Sequence, residues 1–249
     1  MRLRYVLLGA WPLAFLAVFL LLEPIPQDPA FHAFAPTGTL GPIPHAWNVL
    51  SNLPFLITGG LGLRFLRRRQ PLRQQQPEAV FFLGLVLTGI GSAYYHWAPD
   101  SSTLLWDRLP MTITFMGFFL ALVAHTLGRP LAHRFLPLAL AVGIGSVLYW
   151  AWTESQGRGD LRAYAVVQFL PLLLVAILLI RFHPPTLRRG ALWCVPLAYA
   201  VAKVFEFTDH SLADLLPWQL SGHALKHFSA AAAGFAFQHA LNLPYADEG

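Results

Sequence analysis

Long apolar runs separated by short polar punctuation dominate the chain. They fall at approximately residues 5–22, 46–66, 79–97, 103–127, 135–152, 163–181, 191–210 and 221–241. Each has roughly the 17–25 residues that a helix needs to cross a bilayer's hydrocarbon core. None alternates strictly, as a barrel strand would, and only helices or closed barrels satisfy their backbone polar groups in lipid. The pattern predicts an all-α, multi-pass transmembrane helical bundle. The first run, Tyr5 to Leu22, leads into Glu23-Pro24 without a small-residue cleavage pattern, so it reads as a retained helix rather than a signal peptide. Pro54, Pro110, Pro171 and Pro196 lie inside runs, where each is expected to kink its helix.

Composition agrees with this pattern. Of 249 residues, 56% are hydrophobic and 12% are charged, with a mean hydropathy of +0.52. An ordinary soluble domain has about 25% charged residues. The net charge of +5 could suggest nucleic acid, but the basic residues sit in short loops between apolar runs. With the N-terminus in the cytoplasm, Arg2, Arg4, Arg64, Arg67, Arg68, Arg69, Arg73, Arg129, Arg134, Arg181, Arg188 and Arg189 share one side. The opposite loops carry only Arg158 and Arg162. This bias is the mark of a cell-membrane protein with both termini cytoplasmic, and it implies neither a nucleic-acid partner nor an obligatory protein partner. The lone Cys194, in an apolar run, allows no intrachain disulfide and reads as a buried structural thiol.

Polar residues inside apolar runs carry the chemistry, because lipid makes them costly. Ser92 and His96 are four apart in Gly91-Ser92-Ala93-Tyr94-Tyr95-His96, and His223 and His227 are four apart in Ser221-Gly222-His223-Ala224-Leu225-Lys226-His227. On a helix this spacing puts both side chains on one face. Two imidazoles so placed can grip one metal, and a third leaves the fourth position of a zinc tetrahedron open. In the expected topology His96, Asp107, His223 and His227 share one depth, a few turns beneath the outer surface. Histidines elsewhere have plainer readings: His125 and His239 as helix–helix hydrogen-bond partners, and His32, His133, His183 and His210 as solvated loop or span-end residues. Asp107 can also be read as an ion-pair partner of Arg108 or Lys226. Trp47, Trp97, Trp106 and Trp218 read as an interfacial belt.

Three segments together resemble the alkaline ceramidase family, within the superfamily that includes adiponectin-receptor-like proteins. They are Gly89-Ile90-Gly91-Ser92-Ala93-Tyr94-Tyr95-His96, Asp107-Arg108-Leu109-Pro110-Met111 and His223-Ala224-Leu225-Lys226-His227, with Trp47-Asn48-Val49-Leu50-Ser51-Asn52 as a fourth. The resemblance implies a seven-helix ceramidase-like domain over residues 45–249, preceded at 1–44 by an extra helix and an outer loop. It implies zinc held by His96, His223 and His227, with Asp107 and Ser92 catalytic, in an enzyme cleaving the amide bond of ceramide or a related lipid amide by a metal-activated water. The active site would then face the outer, periplasmic side. Asn48, Ser51, Glu206 and Asp209 are candidates to orient the ligands. Calcium-binding members of the family carry a glutamate just before W-N. His45 precedes Ala46-Trp47-Asn48 here, and the loop offers only Glu23 and Asp28, which counts against calcium. A non-catalytic zinc receptor or scaffold on the same fold, a proton-relay transporter and a bis-histidine haem protein are the rival readings.

Overall fold

The computed structural model describes residues 2–181 and 186–241, so His183 lies outside the described residues. Among these the chain is helical and contains no strand. The helices are α1 (Arg2–Leu21), α2 (Ala46–Leu50), α3 (Leu53–Arg69), α4 (Gln76–Trp97), α5 (Ser101–Leu127), α6 (Arg129–Ser155), α7 (Arg162–Arg181), α8 (Arg189–Phe207), α9 (Asp209–Leu215) and α10 (Gly222–Ala240). Five segments are long and apolar enough to cross a membrane: α2 with α3, α4, α5, α6 and α8. This is a helical membrane protein. Helix α10 sits where an apolar run was expected, but it carries His223, Lys226, His227 and Ser229 and falls short of that standard.

Helices α4 and α5 form the central pair, and α10, packed on α8 and α3, lies beside them. Glycines let α4 and α5 approach closely, the usual device where lipid offers no hydrophobic drive to association. Pro110 has no N–H, so the Trp106 carbonyl one turn earlier has no helical donor. That carbonyl packs on Gly91, where a Cβ would strike it and also lie 3.2 Å from Pro110 Cγ. Helices α5, α7 and α8 run continuously through Pro110, Pro171 and Pro196. At Pro54 the helix does break, and Ser51 and Asn52 separate α2 from α3.

One end of the core is aromatic. The Phe237 ring of α10 lies 4.8 Å from Phe81 and 5.1 Å from Phe118, and Phe82 is fully buried beside them. Helix α1 packs along α7 and sets Trp11 against Phe119 at 5.4 Å. Its C-terminal end is fastened by Arg162, whose guanidinium donates to the Leu22 carbonyl at 2.6 Å and pairs with Asp160 at 2.8 Å. Cys194 is exposed, not buried. An apolar run cannot separate a lipid-facing side of a helix from a protein-facing one, and Cys194 lies on the outward side of α8.

Candidate metal centre

At the other end of the same three helices, polar residues replace the phenylalanines. His96 closes α4, while His223 and His227 stand on the first two turns of α10. The three imidazoles are buried, and their ring centroids make a nearly equilateral triangle of 4.6, 4.9 and 5.0 Å. His96 Nε2 and His223 Nε2 are 3.1 Å apart, and one nitrogen from each of the three rings lies within 4.8 Å of the others. A tetrahedral zinc with bonds of about 2.0–2.1 Å spaces its ligands by about 3.4 Å, so the donor set suits one small cation. His96 Nδ1 is buried without a hydrogen-bond partner, so hydrogen bonds alone leave this cluster unsatisfied.

The segment 47–52 orients one of the imidazoles. The helix break after α2 frees backbone acceptors, and Asn52 Nδ2 answers by donating to the Asn48 carbonyl at 2.8 Å. The Ser51 hydroxyl also donates to that carbonyl at 3.3 Å and meets His227 Nδ1 at 2.8 Å. With Ser51 as acceptor from His227 Nδ1–H, His227 Nε2 would keep its lone pair for a metal. Asn48 Oδ1 accepts from the Ser221 hydroxyl at 3.2 Å, and Ser221 caps α10 by accepting from Ala224 N at 3.1 Å. Gly222 lets α10 begin against the Phe205 carbonyl and the Asp209 backbone. Of the four orienting candidates, Ser51 alone bonds an imidazole. Asp209 acts on the backbone, accepting from His223 N at 2.7 Å and from Ala35 N at 3.0 Å. Glu206 turns instead to Lys203 and Lys226.

The loop between α1 and α2 roofs the cluster. The Phe34 ring packs at 4.7 Å on His96 and 4.3 Å on His223. His32 is not solvated as expected: its Nδ1 bonds Tyr95 Oη at 2.9 Å. Two aromatics beside a histidine in Phe31-His32-Ala33-Phe34 were the only sequence signal, and loops commonly carry such residues. His32 lies outside the spans, and burial lowers its pKa, with Asp100 opposing.

Ser92 and Asp107 line a neighbouring cavity of about 130 Å³ between α4, α5, α7, α8 and α10. His227 lines it too, so the histidine cluster borders the cavity on that side. Asp107 makes no ion pair among the described residues. Arg108 points away from it, stacking on Trp150 at 4.3 Å and donating to Gln27 Oε1 at 2.6 Å. The rest of its lining is largely apolar, with Phe81, Leu85, Phe118 and Val195. His125 bonds Glu78 at 3.1 Å, and His239 bonds Arg188 at 3.2 Å, both far from the cluster along the chain. Of the four tryptophans expected in an interfacial belt, Trp97, Trp106 and Trp218 are exposed, and Trp47 is half-buried and donates to the Trp218 carbonyl at 2.7 Å.

Residues 42–214 match the family model described as Ceramidase. The match takes in Ser92, His96 and Asp107 and ends before α10, so the structure, not the match, brings His223 and His227 to them. No curated protein matches the chain.

Proposed function

Because the chain belongs to the ceramidase family, we propose that it is an integral-membrane zinc hydrolase that cleaves the amide bond of ceramide or a related lipid amide. The observation that carries this reading is the open side of the histidine triangle. Through His227 the triangle borders a cavity whose wall holds a hydroxyl and a carboxylate without an ion pair, and whose largely apolar lining suits an acyl chain.

In this reading His96, His223 and His227 hold the metal. When bound, zinc supplies Lewis acidity and an activated water near neutral pH. Asp107 accepts a proton from the attacking water and delivers it to the leaving amine nitrogen as the C–N bond breaks, yielding a fatty acid and an amine. Ser92 donates its hydroxyl to the carbonyl oxygen as negative charge gathers there. A donor so placed typically contributes about 3 kcal/mol to the transition state. Phe34 and the loop around it exclude bulk water from the cluster, which strengthens each of these interactions.

The arginine bias supports cytoplasmic termini and a site opening on the opposite side of the membrane. Residues 1–44 are then an appended helix and roof, and 45–249 the hydrolase domain. Purified protein in a nonionic detergent should release fatty acid from ceramides or acyl-amides, by product mass spectrometry, and lose this activity with a chelator. Metal-loaded protein that releases nothing from a broad panel would favour a receptor or scaffold.

A further inference from the structure

The first turn of α9 grips the roof on both sides of Phe34. His210 Nε2 donates to the Ala33 carbonyl at 3.1 Å, and Asp209 Oδ2 accepts from Ala35 N at 3.0 Å. The ring held between these two bonds packs on His96 and His223. The other oxygen of the same carboxylate, Oδ1, accepts from His223 N at 2.7 Å, so one side chain joins the roof to a histidine of the cluster on α10. Asp209 is buried, and it makes no ion pair among the described residues. A buried carboxylate is costly unless donors meet its charge, and here two backbone N–H groups do so. Capping α10 does not by itself call for this arrangement. Ser221 is already the N-cap, accepting from Ala224 N, and one oxygen would suffice for His223 N. The second oxygen goes to the roof, at Ala35, itself 1% exposed. Gly222 makes the junction possible, because a Cβ there would strike the Phe205 carbonyl and the Asp209 backbone.

We infer that Asp209 is a positioning residue that locks the roof to α10, so that Phe34 shuts His96 and His223 off from water on the roof side and the metal is approached through the cavity beside His227. The proposal rests on the metal reading of the cluster, and it adds a residue that touches neither metal nor substrate. Its consequence is directional. Two of the three rings lie under Phe34, while the third lines the cavity, and neither Phe34 nor Ala35 is part of the cavity wall. A lipid amide entering along the apolar lining reaches the cluster without disturbing the roof. A water-soluble molecule on the roof side meets the Phe34 ring instead. His32, two residues earlier, is tied separately to Tyr95 Oη at 2.9 Å, so freeing Phe34 means local opening at the bonds on either side of it.

The test follows the loss of zinc from zinc-loaded, purified protein to EDTA, a chelator that approaches from water. Asp209→Asn keeps the size of the side chain, but its amide NH2 must face one of the two N–H donors, so one bond is lost. Zinc loss should speed up about tenfold or more, the scale of a hydrogen bond to a charged group. Phe34→Ala should do the same, and the double variant should be no faster than the faster single one, because both changes open the same roof. His210→Ala alters an exposed residue and should act in the same direction, which decides the matter if Asp209→Asn does not fold. In metal-free protein, hydrogen–deuterium exchange at Ala35 should be faster in Asp209→Asn than in the wild type. Zinc loss unmoved by these changes, additive effects in the double variant, or exchange at Ala35 as slow as in the wild type would overturn the lock and leave Asp209 as a helix cap alone. If the wild type takes up no zinc, the metal reading fails, and exchange at Ala35 still decides the lock by itself.

Discussion

The two ends of α4, α5 and α10 solve the same packing problem with opposite chemistry. At one end Phe81, Phe82, Phe118 and Phe237 fill the space, with Phe237 within 4.8 Å of Phe81. At the other, His96, His223 and His227 occupy an equally small triangle, and each bond that orients them comes from elsewhere in the chain. Ser51 comes from the α2–α3 break, Asp209 from the start of α9, and Phe34 from a loop. Aromatic packing needs only shape. The polar end needs partners for every buried group, so it recruits a helix break and a loop that stability alone would not require.

The sharpest way to break this contrast is His223→Ala. It should abolish stoichiometric metal binding and lower amide hydrolysis by about a thousandfold or more, since several kcal/mol of charge stabilisation go with the metal. Metal analysis and product release on one preparation check both. Asp107→Asn should keep the metal and lose roughly 10²–10⁴-fold in turnover, the range of general acid–base catalysis. At the aromatic end, Phe82→Ala should cost about 3–5 kcal/mol of stability through a cavity while leaving metal affinity intact, read by denaturation and metal titration. Ser51→Ala should weaken metal binding about 10–100-fold without loss of fold, because the His227 ring loses its orienting acceptor.

The smallest effect concerns pH and lies outside both ends. Burial opposes ionisation of Asp160, but Arg162 and Tyr149 hold its carboxyl down at about 2. A carboxyl depressed on folding stabilises the fold above its unfolded value and loses that contribution as pH falls through the folded one. The thermal midpoint of the wild type should therefore exceed that of Asp160→Asn by a constant margin near neutrality. The margin should shrink as pH falls below about 4, the ordinary range of an aspartate.

Much of this was legible in the residues because lipid makes polarity conspicuous. His96, Asp107, His223 and His227 stand out in apolar runs, and four-residue spacing fixes their faces. The helices follow the runs for the same reason, although the break at Ser51-Asn52 appears only as a proline at 54. What stayed hidden depends on direction. Nothing in a helical run says that Cys194 faces outward, or that Arg108 turns from Asp107 into a box of Trp150, Tyr164 and Phe31. The roof was hidden too, since Phe34 reads as one loop aromatic among several until it is seen against two imidazoles.

The central claim is that three imidazoles from α4 and α10 hold one metal on which amide cleavage depends. The most direct measurement strips purified protein with a chelator, returns zinc stepwise, and follows bound metal and fatty-acid release in the same samples. The account predicts a plateau at one metal per chain, with activity rising in proportion and reaching its maximum there. Metal-free protein that still releases fatty acid, or full activity in His223→Ala, would contradict it.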